Sequence, residues 1–171
     1  MELLLVIGLV AILLAFAIPR VNRGRFRVDA QVQTFGFVLN TAQREAVLRQ
    51  HDVILSFEMD TGRLRVTMDV NNSRVADTGE RVTSYPLEEG VAFGLGGAPG
   101  LTWGTNPVTF PEVAGEPTLT FHRNGSASSF GAIYLTSTRG LTEHARAIEV
   151  ERATGEVRCH SYRTGSWELT C

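Results

Sequence analysis

The sequence lacks a net charge of either sign that would point to a binding partner. Its 171 residues include 16 basic and 18 acidic side chains, which leaves a formal charge of −2 at pH 7. So small a charge gives no electrostatic signal for nucleic acid or for an acidic partner. The charge is uneven, because residues 20–27 hold four arginines and no acidic residue. We interpret this cluster as a juxtamembrane patch that contacts lipid headgroups.

The sequence also lacks the motifs of common catalytic and metal centres. It has no HExxH pattern, no GxSxG elbow and no regular calcium-loop spacing of its aspartates. The four histidines are dispersed, and the glycine-rich segment GLGGAPG lacks the GxGxxG spacing of a phosphate-binding loop. We therefore predict a protein that is not an enzyme and that carries no cofactor or metal.

What the chain does have is a long apolar run at its start. Leu3 to Ile18 contains no charged or strongly polar residue, and it lies between Glu2 and Pro19. As a helix it would span ~24 Å, against a bilayer core of ~30 Å, so one short span with local thinning is expected. A carboxylate at the edge of such a helix needs a partner. We predict a transmembrane helix over residues 1–25, which Pro19 bends without ending.

Two properties of this segment stay open at this stage. Ala15-Phe16-Ala17 has the small-x-small form of a signal-peptide cleavage site, which is the alternative to a retained span. The arginines after the span place the globular part in the cytoplasm by the positive-inside rule. The two cysteines, Cys159 and Cys171, instead suit an oxidising compartment, unless they are two free thiols of a cytosolic protein.

An amphipathic helix follows the apolar run. Between residues 26 and 51, apolar residues recur at spacings of three and four, as on one face of an α-helix. These positions are Val28, Val32, Phe35, Leu39, Ala42 and Ala46. The helix is predicted to end near Gln50, and this half is predicted to pack on a sheet.

Residues 52–171 have the pattern of a β-rich domain. Alternating or β-branched runs bounded by turn residues predict strands at 53–57, 63–68, 91–93, 118–122, 132–137, 145–151 and 156–162. Residues 71–89 are polar and poorly patterned, and residues 94–117, with six glycines and four prolines, are predicted to form a long loop. The predicted fold class is α+β, a long N-terminal helix packed on an antiparallel sheet domain.

Glu2, the apolar run and Pro19, seventeen positions after Glu2, resemble the N-terminal segment of the type IV pilins and pseudopilins, and fall on that superfamily's glutamate and proline. Three further segments are TAQREA at 41–46 followed by DVIL at 52–55, LTFHRNGSA at 119–127, and the closing hairpin from Ile148 to Arg158. These segments resemble one branch of the superfamily, the GspH/FimT minor pseudopilins. The resemblance covers nearly the whole chain and implies a pilin-like fold.

The resemblance also implies a function and a location. It implies a non-enzymatic assembly subunit of a type II secretion or type IV pilus system, with other membrane helices and the lipid bilayer as partners. The subunit is expected to be single-pass in the inner membrane, with its C-terminal domain in the periplasm. Glu2 is then expected to neutralise the N-terminal amine of a neighbouring subunit, and Cys159 and Cys171 to form a disulfide.

Two departures from the family pattern leave alternatives. The chain opens on Met1 without a basic leader and Gly-Phe junction, so either those residues lie upstream or the chain is not processed as a prepilin. The second case favours an accessory subunit of another inner-membrane complex, such as a respiratory or photosynthetic one. A DNA-uptake role rests on Arg158 and Arg163 and is disfavoured, because Glu156 replaces the first arginine of the family's Gly-Arg-x-Arg segment and repels phosphate.

Overall fold

The computed structural model describes residues 23–101 and 104–170. The predicted apolar span lies outside these residues, together with Glu2, Pro19, Trp103 and Cys171. No helix in the described ranges combines the length and apolar character needed to cross a membrane.

One helix and ten strands make up the described part of the chain. The helix, α1, runs through Arg23–Arg49, and a short 3-10 helix covers Thr142–His144. The strands are β1 Asp52–Glu58, β2 Arg63–Asp69, β3 Val82–Pro86, β4 Val91–Phe93, β5 Glu112–Val113, β6 Glu116–Phe121, β7 Gly131–Ser137, β8 Arg146–Val150, β9 Val157–Arg163 and β10 Ser166–Leu169.

The strands form two five-stranded antiparallel sheets. The first sheet has the order β3-β2-β1-β6-β5, and the second has the order β10-β9-β8-β7-β4. Register is fixed by the hairpins, for example Glu58 opposite Arg63 in β1–β2 and Val150 opposite Val157 in β8–β9. The predicted α+β class, with a helix packed on antiparallel sheets, is confirmed.

One face of α1 closes the core between the two sheets. The six predicted positions from Val28 to Ala46 are all buried, at most 5% exposed. They meet inward-facing residues of both sheets, including Leu55 and Phe57 of β1 and Ile133 of β7. The helix ends where Gln50 takes a left-handed conformation (φ 58°), which stops the helical hydrogen-bond pattern. The predicted inner face and the predicted end near Gln50 are both confirmed.

Three strands lie where the sequence predicted none. β3 lies within the poorly patterned residues 71–89, β5 lies within the predicted long loop, and β10 follows the last predicted strand. The predicted loop also contributes buried side chains, because Phe110 stacks on Phe57 with ring centroids 5.7 Å apart. The prediction of a plain loop over residues 94–117 was therefore wrong in its second half.

Candidate assembly surface

A side-chain clamp fixes the middle of α1 to the β-turns of the domain. Gln43 Nε2 donates to the carbonyl oxygen of Gly125 at 2.8 Å and to that of Thr154 at 2.7 Å. The first turn joins β6 to β7, and so one sheet to the other, while the second joins β8 to β9. A single amide thus ties the helix to turns at the end of both sheets, which holds α1 as part of a rigid scaffold.

An ion pair fixes the beginning of α1 to the second sheet. Arg146 Nε on β8 donates to Asp29 Oδ1 at 2.6 Å, and the arginine side chain is only 3% exposed. Arg146 Nη1 also donates to the carbonyl oxygens of Glu143 and Ala145. Because Arg146 is buried, loss of Asp29 would leave a buried charge without its partner, whereas the Arg25–Asp29 contact at 3.8 Å is exposed and contributes little.

Close to this pair lies a fully buried histidine. His144 is 0% exposed, and its Nδ1 lies 2.7 Å from the hydroxyl oxygen of Ser137. Its ring lies against Gly24, where an added Cβ would be 3.3 Å from His144 Cε1. Burial holds the pKa of His144 below its ordinary value, and the nearby carboxylate of Glu143 opposes this only in part. The ring is therefore neutral at neutral pH.

The outer face of α1 carries a stripe of large apolar side chains that no described residue covers. Phe26, Phe37 and Leu48 are 66%, 72% and 79% exposed. They recur every eleven residues, which is close to three helical turns, so they share one side of the helix about 16 Å apart. We call these three residues the outer stripe. It faces away from the six buried positions of the same helix, and the exposed polar residues Gln33 and Arg44 lie between its members.

A groove lies beside the outer stripe, between α1 and the β2–β3 edge of the first sheet. It has a volume of about 240 Å³, and its walls include Phe37, Val38, Val66, Met68 and Tyr85. Arg81 and Glu45 add one charge of each sign. An apolar groove that continues an exposed apolar helix face is the kind of surface on which another helix packs.

The two arginines considered for nucleic acid do not lie together. Both are on β9, but they are five residues apart, so alternation of side chains places them on opposite faces of the sheet. Arg158 donates to Glu156 Oε2 at 2.7 Å, and this bond lowers the pKa of the Glu156 carboxyl. Arg163 lies on the face toward α1, near Phe26 and Asp29. The structure thus gives them no shared basic surface.

The tail of the described chain lies beside Cys159. This cysteine is 2% exposed and belongs to the core between β9 and α1. Thr170 donates to the Cys159 carbonyl oxygen both from its backbone nitrogen, at 2.8 Å, and from its hydroxyl, at 3.2 Å. Cys171 itself is outside the described residues, so the pairing of the two cysteines stays a prediction.

Sequence reasoning missed the residues that fix α1 to the sheets. In the sequence Gln43 is one of the polar residues between the apolar positions of α1, and its partner Thr154 is 111 residues away. Asp29 lies between the same apolar positions, and its partner Arg146 is 117 residues away. The signal available was modest: polar residues flanking the apolar positions, and the turns Arg123-Asn124-Gly125 and Ala153-Thr154-Gly155.

The family model described as "Type II transport protein GspH" matches residues 31–154, from the middle of α1 to the β8–β9 turn. The chain belongs to this family. The matched part includes Gln43 and both of the residues it binds, Gly125 and Thr154, and leaves the first turns of α1 and strands β9 and β10 outside. The resemblance to GspH-type minor pseudopilins is therefore confirmed. A comparison with curated proteins gives no match.

One solved structure agrees with the fold of this GspH-family chain. The minor pseudopilin EpsH from the type 2 secretion system of Vibrio cholerae is similar with a TM-score of 0.56 and 16% identity, covering 79% of this chain and 97% of that one. A crystal structure of the same Vibrio cholerae pseudopilin gives a TM-score of 0.44 and 19% identity, covering 85% and 94%. At such identity the first likeness shows a shared, pilin-like fold.

Proposed function

We propose that this GspH-family chain is a non-enzymatic, single-span assembly subunit of a type II secretion system. Its partners are the other pseudopilin subunits and the lipid bilayer. Residues 1–25 form the transmembrane segment, and residues 52–171 lie in the periplasm. Membership of the family supports the secretion system as the setting, the apolar run from Leu3 to Ile18 supports the span, and the exposed apolar side chains of α1 support contact with other subunits.

The observation that carries the proposal is the outer stripe on a helix already packed on both sheets. A helix that only completed its own domain would need one apolar face. Here the buried face is complete, and Phe26, Phe37 and Leu48 remain exposed on the other side. Exposed apolar stripes next to a groove mark protein interfaces. We infer that helices of neighbouring subunits cover this stripe.

The proposal assigns roles to residues outside the described ranges. Glu2 neutralises the N-terminal amine of a neighbouring subunit, because a carboxylate at the edge of a lipid-embedded helix needs a charged partner. Pro19 bends the helix where the span meets the periplasmic half. Cys159 and Cys171 form a disulfide, which the bonds from Thr170 to Cys159 support by bringing the chain beside it. Such a ring contributes roughly 2–4 kcal/mol.

Co-purification from native membranes tests this function. The full-length chain carries a C-terminal tag, and a Phe37→Glu variant places a charge in the outer stripe. Val75→Glu is the matched control, since Val75 is also an exposed apolar residue, 58% accessible, but lies on the β2–β3 loop. We expect pseudopilins to co-purify with the unmodified chain and the control, and to be lost from Phe37→Glu. Recovery of subunits of a respiratory or photosynthetic complex instead would contradict the proposal.

A further inference from the structure

A second cavity lies between the beginning of α1 and strand β9, on the opposite side of the helix from the α1–β3 groove. It has a volume of about 440 Å³. Its walls include Asp29 and Gln33 of α1, Arg146 of β8, and Ser161 and Arg163 of β9. Apolar residues such as Phe26 and Val32 also line this cavity, and what sets it apart is that two arginines and an aspartate lie among them.

Two buried donors in the wall of this cavity have no hydrogen-bond partner among the described residues. A guanidinium group has five N–H donors. Arg146 uses one at Nε for Asp29 and two at Nη1 for the carbonyl oxygens of Glu143 and Ala145. Its Nη2 is buried without a hydrogen-bond acceptor, and so is the hydroxyl of Ser161, which is 1% exposed. Such unpaired buried donors are unfavourable and normally have a partner.

The sheet register places the two residues that carry these donors opposite each other. Arg146 and Ser161 are directly paired across β8 and β9, so their side chains extend from the same face of the sheet. Arg163 is two residues along β9 on that face, and it lines the same cavity. A guanidinium Nη2 beside a hydroxyl donates two hydrogen bonds to one oxyanion, and a nearby second arginine adds charge.

We propose that this cavity binds a carboxylate. One oxygen accepts from Arg146 Nη2 and the other from the Ser161 hydroxyl, while Arg163 contributes an exposed positive charge. Among the described residues, the acidic groups that face the site are Asp29, already bound to Arg146 Nε, and Glu168, which is paired with Ser161 across β9 and β10. Two nearby carboxylates favour a singly charged ligand over a phosphate dianion, since like charges at this range repel.

Thermal unfolding of the full-length chain in detergent tests the site with defined probes. The probes are sodium acetate, N-acetylglutamate α-amide, its uncharged glutamine counterpart and sodium phosphate, each against sodium chloride at equal ionic strength. A ligand that binds only the folded state raises Tm, by about 3–5 °C at ten times its Kd for a chain of this size. We expect a saturable rise with acetate and the glutamate amide, a smaller rise with phosphate, and none with the glutamine amide.

Matched variants separate binding from general stability. Ser161→Ala removes a buried hydroxyl that has no partner, so the ligand-free Tm should not fall, while the acetate response should be lost. Ser129→Ala is the control, because the Ser129 hydroxyl is also buried and unpaired but lies outside this cavity. Arg163→Gln should weaken acetate binding several-fold and Glu168→Gln should strengthen it. Arg158→Gln, on the other face of β9, should change neither.

The probes also distinguish the source of the carboxylate. A glutamate amide that binds tighter than acetate indicates a side chain from a protein partner, and equal binding indicates a free acid. Both results support the site. No response to either probe, a response that Ser161→Ala leaves intact, or a phosphate response larger than that to acetate would overturn the proposal. Because the readout uses the isolated chain, failure here would leave the assembly function standing.

Discussion

The side-chain amide of Gln43 donates to the carbonyl oxygen of Gly125 at 2.8 Å, and this contact is the point where α1 meets the connection between the two sheets. The same nitrogen donates to Thr154 at 2.7 Å. One residue on the helix therefore organises the turns that close both sheets. Because α1 is attached to both sheets in this way, a partner that binds the outer face of α1 is held by the whole domain.

Replacing Gln43 should destabilise the domain more than its position on a polar helix face suggests. Gln43→Ala leaves two turn carbonyls without their donor, and we expect a loss of about 1–3 kcal/mol in the free energy of unfolding. Urea denaturation of the full-length chain measures it. Gln33→Ala, the same substitution at an exposed position of α1, is the control and should have little effect. Equal midpoints for the two variants would contradict the clamp.

Gly155 should be intolerant of any side chain. A Cβ at this position would lie 2.3 Å from the Gly125 carbonyl oxygen and 2.4 Å from Gln43 Nε2, and its φ is +66°. Gly165 also has a positive φ, of +88°, but no atom within 4 Å of its Cβ position. We therefore expect Gly155→Ala to lower the free energy of unfolding by about 1–3 kcal/mol more than Gly165→Ala does. This is the usual range for overpacking. A difference near zero, measured by denaturation, would show that the turns are not tightly closed.

Loss of the Asp29 carboxylate should weaken the beginning of α1. Asp29→Asn leaves the buried Arg146 without its charged partner. Because Asp29 is itself partly exposed, we expect a moderate loss in the free energy of unfolding, about 1.5–3 kcal/mol. Arg25→Gln removes only the exposed contact at 3.8 Å and should change stability by at most about 1 kcal/mol. Hydrogen exchange of the first turns of α1 reports where the loss occurs. Faster exchange in Arg25→Gln than in Asp29→Asn would contradict the assignment.

His144 should make the stability of the domain fall in mild acid. Burial lowers the pKa of His144 in the folded state, so between that pKa and the unfolded value of about 6.5 the unfolded chain binds the extra proton. The contribution of His144 to the free energy of unfolding is therefore fully present above about pH 6.5, and it decreases as the pH falls. The difference in unfolding free energy between the unmodified chain and His144→Gln should shrink from pH 8 to pH 5. A constant difference would show that His144 does not titrate on unfolding.

The parts of the fold that follow from local pattern were predictable from the sequence. The spacing from Val28 to Ala46 predicted the buried face of α1, because burial of one helix face imposes a period of 3.6 residues. β3 and β10 lack such a signal, since they are edge strands with most side chains exposed. Val108 and Phe110 alternate with Thr109 over only three residues, between Pro107 and Pro111, and this pattern is too short to predict a strand.

The contacts that build the candidate surface were not predictable in the same way. The Asp29–Arg146 pair joins residues 117 positions apart, and the Arg146–Ser161 pairing depends on the register of β8 and β9. No local spacing encodes either relationship. The eleven-residue spacing of Phe26, Phe37 and Leu48 places the outer stripe on one side of a helix. That this side is exposed follows only from the structure, in which the opposite face of α1 is buried in the core.

The central claim is that the outer stripe of α1 lies against other subunits, and site-specific photo-cross-linking tests it most directly. All 16 basic residues are arginines, so an amine-reactive reagent finds no side chain on α1. Benzoylphenylalanine at Phe37 preserves an aromatic residue there, and the same group at Val75 is the control. In native membranes we predict cross-links to pseudopilins of the secretion system from position 37 and none from position 75. Absence of cross-links at position 37, or equal yield at both positions, would contradict the account.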